Sequence, residues 1–238
     1  VDFIFLATPH EASHDWMPIL SSGKAKVLDL SGAFRIKDTA VFEQFYGFPH
    51  TQTQSLAQAV YGLAEWHEAQ IASADVIAVP GCYPTSAILG LAPLAAEGWL
   101  ESAIVDAKSG VSGAGRALKL TSHFSEVDEN LSAYGLSGHR HQPEMVQELG
   151  ELTPDGNKVG VTFVPHLIPM VRGILATSYA TLSHGSLPAN SEDAREILVD
   201  KYRAFYADHP FVHVSDTPPS TKQTMGSNVC LVYPSVDR

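Results

Sequence analysis

The chain has 238 residues, 45% of them apolar and 17% charged, a composition typical of a folded globular protein without disordered tracts. Its formal net charge of -11 disfavours nucleic acid as the main partner, because phosphate backbones select basic surfaces. Two cysteines are too few for a disulfide framework and favour a reducing, cytoplasmic setting, and no apolar run approaches the ~20 residues that a membrane helix needs.

Three short apolar runs in the first third of the chain have the character of buried parallel strands: residues 1–7, 26–30 and 76–79. Helix-compatible stretches lie between and after them, at residues 13–22, 39–45 and 83–97. This alternation predicts an open α/β sheet. The first run begins as a strand with no preceding turn, so we expect the sequence to be part of a longer chain.

From about Ala103 the pattern changes to longer β-rich segments, at residues 104–107, 158–164, 174–182 and 228–233, with one amphipathic helix at residues 192–206. This half predicts an α+β domain, with helices on one face of a mixed or antiparallel sheet. The predicted fold class is therefore α/β plus α+β: a partial Rossmann-type parallel sheet in residues 1–82, then a second domain in residues 83–238.

The strongest chemical signal is the segment PGCYPT at residues 80–85, where Cys82 stands between a predicted buried strand and a long predicted helix. A thiol at a helix N-terminus faces the positive end of the dipole, which favours the nucleophilic thiolate. The alternative is a small buried residue, since free cysteine is among the most buried residue types. The flanking glycine and prolines favour the nucleophile.

A second cluster is GHRHQPE at residues 138–144. If this segment is extended, His139 and His141 project to similar sides, and Glu144 is a candidate carboxylate partner that orients one of them. The set predicts a general acid/base. A zinc site would need more ligands at suitable spacing, so we expect no metal, and a polar surface loop is the remaining alternative.

Two loops could meet an anion. The glycine-rich run from Ser109 to Arg116 can bring backbone amides close to a phosphate or a flat ring, although such runs are often mere turns. It lacks the spacing of a dinucleotide fingerprint, which occurs nowhere in the chain. In PHLIPMVRG, from Pro165, Arg172 is predicted either to clamp a carboxylate or phosphate, or to form a structural ion pair beside a bent edge strand.

Polar residues also follow the first two predicted strands. Ligands of open α/β sheets bind outside the carboxyl ends of the strands, so Thr8, His10 and Ser31 are candidate cofactor contacts. Helix capping explains Ser31 equally well. Cys230 lies in an apolar strand pattern and is predicted to be inert, and His67 is predicted to lie on the surface.

In combination, these motifs resemble those of the N-acetyl-γ-glutamyl-phosphate reductase family, which is related to aspartate-semialdehyde dehydrogenase. The matching segments are FLATPHEASHD from Phe5, DLSGAFR from Asp29, YGLAEW from Tyr61, VPGCYPT from Val79, SGVSGAGR from Ser109, HRHQPE from His139 and PHLIPMVRG from Pro165. They follow the family order over nearly the whole chain, which makes the set far more specific than any one segment.

The resemblance implies an NADP-binding Rossmann domain and an α+β domain for catalysis and oligomerisation, in a homodimer or homotetramer. It implies that NADPH reduces N-acetylglutamyl 5-phosphate to the semialdehyde, with release of phosphate, through a Cys82 thioester in arginine biosynthesis. The acid/base falls in HRHQPE, where we favour His139 over His141 and give Glu144 a supporting role. Expected substrate contacts are Ser109, Arg116, Tyr134 and Arg172, and expected cofactor contacts are Thr8, His10, Ser31, Ser112 and Gly113.

Compared with the family, we expect the pyrophosphate-binding strand, turn and helix to precede Val1 and a further segment to follow Arg238, which would leave both domains incomplete and NADPH binding weak. Three alternatives stay open. One is aspartate-semialdehyde dehydrogenase, which the HRHQPE segment disfavours. The others are a cysteine hydrolase or acyltransferase that uses Cys82, His139 and Glu144 without a nicotinamide, and an inactive oligomerisation module.

Overall fold

A computed structural model describes residues 1–237, which form two compact units that divide between Thr85 and Ser86. In the described part of the chain, no helix combines the length and apolar character needed to cross a membrane. The elements of the first unit are β1 (Phe3–Leu6), α1 (His10–Leu20), β2 (Lys26–Asp29), α2 (Thr39–Tyr46), α3 (Thr53–Gln58), β3 (Val60–Tyr61), α4 (Ala64–Ser73) and β4 (Val76–Ala78). Helix α5 (Cys82–Ala96) begins in this unit and continues into the second.

The first unit is built on a four-stranded parallel sheet in the order β1-β2-β4-β3. Leu6, Asp29 and Ala78 are paired in register, so the carboxyl ends of three strands reach one edge of the sheet. This confirms the predicted α/β class. The sequence missed β3, which is too short to show a period of two, and α4, whose apolar residues are spread around the helix.

The second unit contains β5 (Leu100–Ser109), α6 (Phe124–Val127), β6 (Ser132–Ala133), α7 (His141–Leu152), β7 (Gly160–Leu167), β8 (Ile174–Leu182), α8 (Ser191–Phe205), β9 (Val212–Val214) and β10 (Cys230–Val232). Short 3-10 turns lie at Val111–Ala114, Leu120–Ser122 and Thr221–Thr224. The predicted α+β character of this half is confirmed, including the helix near residues 192–206.

The larger sheet of this unit is mixed, in the order β6-β7-β5-β8. Strand β5 runs parallel to β7 and antiparallel to β8. Helix α7 packs on β7, and Gln142 at its start donates to the Val161 carbonyl at 2.7 Å. Alternate residues of β5 point to opposite faces, which is why Val105 is fully buried while Ile104 is half exposed.

Helix α5 is apolar on nearly every face because it is covered along its length. Two tyrosines, Tyr202 in α8 and Tyr206 just after it, bond its backbone: the Tyr202 hydroxyl donates to the Gly90 carbonyl at 2.7 Å, and the Tyr206 hydroxyl donates to Leu89 at 2.5 Å. Burial raises the pKa of Tyr202, which keeps this hydroxyl a donor. These bonds fix the two helices against each other.

Candidate active site

Cys82 is exposed and is the first residue of α5, directly after the turn that follows β4. The Gly81 carbonyl accepts the first helical bond, from the Thr85 amide at 2.9 Å, and a second from the Thr85 hydroxyl at 3.0 Å. The thiol therefore stands at the positive end of a 15-residue helix, a position that favours thiolate. Cys230 is partly buried and opens the strand β10, which offers no such field.

Two strand ends in the first unit place the predicted cofactor residues along one edge. Thr8 and His10 follow β1, and Ser31 follows β2, its neighbour in the sheet. Fully buried Asp29 accepts bonds from both the amide and the hydroxyl of Ser31, each at 3.0 Å. Ser31 is therefore held by its own turn, and its hydroxyl also accepts from the Ala33 amide at 3.1 Å.

A pair of buried histidines, which the sequence did not single out, supports that turn. His50 Nε2 donates to the Ala33 carbonyl at 2.9 Å, and His14 Nε2 accepts from the Thr51 amide at 3.1 Å. Burial, and next to it the neighbouring His14, lowers the pKa of His50. The neutral ring of His50 keeps the proton on Nε2 that the bond to the Ala33 carbonyl needs.

His67, predicted to lie on the surface, is in fact buried, at 8% exposure, with its ring 6.1 Å from that of Tyr61. That prediction was wrong because α4 turns this residue toward the sheet. Its neighbour Trp66 is the more exposed of the two aromatic rings, at 39%.

In the second unit, the HRHQPE segment is a helix start and not the extended strand that we assumed. His139 lies in the turn before α7, and His141 is the first helical residue. The His141 amide donates to His139 Nδ1 at 3.1 Å, and the two ring centroids are 4.7 Å apart. The rings are thus adjacent in an edge-to-face arrangement, because the chain turns into α7 between them.

His139 has an apolar and aromatic setting. Its ring lies 5.7 Å from that of Tyr134 and 5.2 Å from that of Phe163. Burial, and secondarily the charge of Arg140, lowers the pKa of His139 to about 4. With Nδ1 accepting a backbone amide, the neutral ring carries its proton on Nε2, where it is a hydrogen-bond donor near pH 7.

Glu144 lies in the first turn of α7, three residues along from His141 on the same side of the helix, and is fully buried. Nearby on the same helix, Glu148 is also buried, at 2% exposure, and accepts a bond from the Gln147 amide group at 2.7 Å. Carboxyl groups are seldom buried, because burial of a charge is costly, so two buried glutamates on the helix that begins at His141 are a distinctive feature of this site.

The two predicted anion loops pair with each other. Backbone bonds join Gly110 to Gly173 at 3.0 Å, Val111 to Met170 at 3.0 Å and Ser112 to Val171 at 3.1 Å. A β-carbon at Gly110 would lie 2.7 Å from the amide nitrogen of Arg172, so only glycine allows this close approach. The sequence indicated the glycine-rich loop but did not show that it pairs with the segment from Met170 to Gly173.

These loops gather several predicted substrate and cofactor residues. Buried Ser109 donates to the Gly110 carbonyl at 3.0 Å, and exposed Arg172 lies in the facing loop. Ser112 and Gly113 form the exposed 3-10 turn next to them. Arg116 follows this turn and is exposed.

The histidine cluster and the paired loops share β7. The Tyr134 amide donates to the Pro165 carbonyl at 3.1 Å, and the Ile168 amide at the end of β7 donates to the Ser109 carbonyl at 3.1 Å. Strand β6, just before Tyr134, pairs with the same end of β7. Strand β7 therefore contacts both groups of predicted site residues of this unit, the histidines along its length and the paired loops at its end.

Comparison with known proteins gives the family. Residues 1–74 match the family model described as semialdehyde dehydrogenase, NAD binding domain, and residues 82–238 match semialdehyde dehydrogenase, dimerisation domain. An N-acetyl-gamma-glutamyl-phosphate reductase of Alteromonas mediterranea is 64% identical over 222 residues, covering 92% of this chain and 61% of that protein. A protein of the same name from Dehalococcoides mccartyi is 48% identical over 238 residues, all of this chain and 67% of that protein.

Solved structures agree on the fold. Aspartate semialdehyde dehydrogenase II from Vibrio cholerae superposes with a TM-score of 0.66 at 15% identity, covering 98% of this chain and 69% of that one. Aspartate semialdehyde dehydrogenase with NADP from Candida albicans gives a TM-score of 0.55 at 12% identity, covering 93% and 64%. The present chain spans 61% and 67% of the lengths of the two N-acetyl-gamma-glutamyl-phosphate reductases named above. It belongs to the semialdehyde dehydrogenase family, in its N-acetyl-γ-glutamyl-phosphate reductase branch.

Proposed function

We propose that this chain carries the catalytic part of an NADPH-dependent reductase that converts N-acetyl-L-glutamyl 5-phosphate to the 5-semialdehyde and phosphate, in arginine biosynthesis. The observation that carries the proposal is 48% identity over all 238 residues to a protein of that name, together with an exposed cysteine at a helix start. A cytoplasmic, reducing setting suits a catalytic thiol.

Cys82 is the proposed nucleophile. Its thiolate attacks the acyl carbon, the carbon–oxygen bond to phosphate breaks, and phosphate leaves with the electron pair, so that a thioester remains. This covalent strategy divides one difficult displacement into two easier steps. The exposure of Cys82 and its place at the N-terminus of α5 support this role.

His139 is the proposed catalytic histidine of the second step. Bound NADPH would supply the hydride for reduction of the thioester. His139 Nε2–H donates a hydrogen bond to the oxygen of the tetrahedral species, which then expels the Cys82 thiolate and releases the aldehyde. A neutral ring at working pH fits this role, because its proton stays on the nitrogen that faces away from the His141 amide.

Anionic groups of the substrate are assigned to the paired loops of the second unit. Exposed Arg172 is the proposed phosphate or carboxylate contact, and Ser109, Tyr134 and Arg116 are further candidates. Since the chain has a net charge of -11, such local cations have to attract the substrate.

The cofactor is proposed to be NADP. The residue set fits a nucleotide in one respect, since Thr8, His10 and the Ser31 turn lie along the carboxyl edge of a parallel sheet, the usual side for such ligands. His10 also offers a ring stacked on that of Phe48, at 5.9 Å between centroids. Ser112 and Gly113 are also proposed as cofactor contacts. The NAD-binding description of the matching family model and the Candida albicans structure with NADP support the proposal.

A second copy of the chain is the proposed partner, as a homodimer or homotetramer. One face of the mixed sheet is open, where Ile104 of β5 lies between Thr162 of β7 and Tyr179 of β8. A shallow depression of about 400 Å³ runs across these residues. The dimerisation description of the family model for residues 82–238 supports this assignment.

Trapping the thioester tests the nucleophile. Incubation with the acyl phosphate and no NADPH is expected to release one phosphate per chain and to add one N-acetylglutamyl group, which peptide mass spectrometry locates on Cys82. Cys230→Ser is the matched control and is expected to acylate normally, whereas Cys82→Ser is expected to form no thioester. Acylation of Cys230, or of neither cysteine, would overturn the proposal.

A further inference from the structure

The guanidinium of Arg35 binds two backbone carbonyls at the carboxyl edge of the parallel sheet, next to the turn that leads to Cys82. Arg35 is buried, at 6% exposure. Its Nε donates to the Val79 carbonyl at 2.6 Å, and its Nη2 donates to the Leu30 carbonyl at 3.1 Å. One side chain therefore joins the chain just beyond β2 to the chain just beyond β4.

These two carbonyls lie past the end of the strand ladder. The last paired residues of β2 and β4 are Asp29 and Ala78, and the final backbone bond runs from the Val79 amide to the Asp29 carbonyl at 2.9 Å. Beyond this point the two strands are no longer paired, so backbone carbonyls need donors from elsewhere. Arg35 supplies two such donors, and its side chain thereby links β2 and β4 one residue beyond their last backbone pair.

The Val79 carbonyl lies three residues before the nucleophile. Pro80 follows it and has no amide hydrogen, and Cys82 begins the helix two residues later. On the far side of the turn, the Gly81 carbonyl is held by the amide and hydroxyl of Thr85. The turn is therefore fixed at one end by Arg35 and at the other by Thr85.

We propose that Arg35 is a positioning residue for Cys82, a role that rests on the proposed function. It sets the direction in which the chain leaves β4 and hence the place of the thiol at the start of α5. Arginine suits the task because its planar fork reaches two carbonyls in fixed geometry, whereas lysine is a single point charge.

Lys37 offers a matched control in the same unit. Its ammonium donates to the Leu56 carbonyl at 2.9 Å and also to that of Ala59, just before β3, so it too is a cation that binds two backbone carbonyls. Neither carbonyl leads into the Cys82 turn. Loss of Lys37 therefore measures the general cost of losing such an anchor.

The test compares Arg35→Met, Arg35→Lys and Lys37→Met in the full 238-residue chain. The first readout is alkylation of Cys82 by iodoacetamide against pH, since this neutral probe needs no phosphate site and no turnover. For Arg35→Met we expect the alkylation midpoint to move toward the ~8.5 of free cysteine. We expect kcat to fall by about 100-fold with little change in KM, as for a misplaced reacting group. Arg35→Lys is expected to recover part of the alkylation midpoint and part of kcat. Lys37→Met is expected to leave the midpoint and kcat unchanged.

Two results would overturn the proposal. Unchanged Cys82 alkylation with a raised KM would make Arg35 a substrate contact, and equal effects of Arg35→Met and Lys37→Met would make it an ordinary structural anchor. If Arg35→Met does not fold, the alkylation profile of Arg35→Lys decides between the same results. Full turnover in Cys82→Ser would instead defeat the proposed function, while the alkylation readout for Arg35 would still stand.

Discussion

At the scale of single residues, two environments set opposite protonation preferences. Cys82 is exposed at a helix N-terminus, where the dipole favours the charged thiolate. His139 is partly buried against the rings of Tyr134 and Phe163 and lies beside Arg140, which favours the neutral imidazole. The thiol can therefore be charged while the imidazole stays neutral, as the proposed chemistry requires.

We expect the imidazole of His139 to titrate with a midpoint near 4, observed by NMR of the ring carbons. Burial is the larger cause, so Arg140→Gln should raise the midpoint only in part. Because the folded pKa lies below the ordinary 6.5, this group's contribution to stability is complete above 6.5 and is lost as pH falls from 6.5 toward 4. A midpoint at 6.5 would show that the ring is solvated.

We expect His139→Ala to lower kcat by about 100-fold or more, as when an oxyanion donor is removed. His141→Ala should lower kcat less than His139→Ala does. In the structure His141 contacts His139 through its backbone amide, which alanine retains. Steady-state kinetics of both variants gives the comparison. A larger loss for His141→Ala would reverse the assignment.

At the scale of elements, the site of the second unit depends on backbone pairing between loops that are distant in sequence. Gly110 and Val111 bond Gly173 and Met170, and this brings Ser109 beside the segment that carries Arg172. Pattern reading found both loops but not their pairing. It also missed α7, although Pro143 stands in its first turn, where proline is well tolerated.

We expect Gly110→Ala to destabilise the protein by about 1–3 kcal/mol, the usual effect of overpacking, since the new methyl group would meet backbone at 2.7 Å. Urea unfolding measures the change. Gly90→Ala is the control: this helical glycine has open space around its missing β-carbon, so alanine should be neutral or stabilise by about 0.5–1 kcal/mol. Equal effects of the two changes would mean that the loops do not approach as closely as described.

At the scale of the whole molecule, the mixed sheet of the second unit presents one face with exposed apolar side chains. Ile104 is 50% exposed and Tyr179 is 62% exposed on adjacent strands, in a sheet whose other face is buried. Ile104 and Tyr179 are cross-strand neighbours, and exposed apolar side chains that adjoin one another are a feature of interaction surfaces. The proposed second copy would cover it.

We expect Ile104→Asp to lower the oligomeric state, measured by sedimentation equilibrium, because an unpaired carboxylate would be buried in the interface. Ile19→Asp is the matched control, since Ile19 is 72% exposed on α1 of the other unit, and it should leave the assembly unchanged. If Ile104→Asp sediments like the unmodified protein, the interface lies elsewhere.

The sequence by itself determined the fold class, most strand positions, about half of the described helices and the identity of Cys82 as the candidate nucleophile, because these depend on local periodicity, turn residues and the order of short motifs. Only the tertiary structure decided the direction of pairing between β5 and β7, the neutral state of His139 and the targets of Arg35. Strand partners, burial and carbonyl acceptors come from residues far along the chain; Arg35 and Val79, for example, are 44 positions apart. A local sequence pattern does not indicate which distant group will exclude water or donate a hydrogen bond. Strand partners, burial and hydrogen-bond partners are therefore known only from the folded chain.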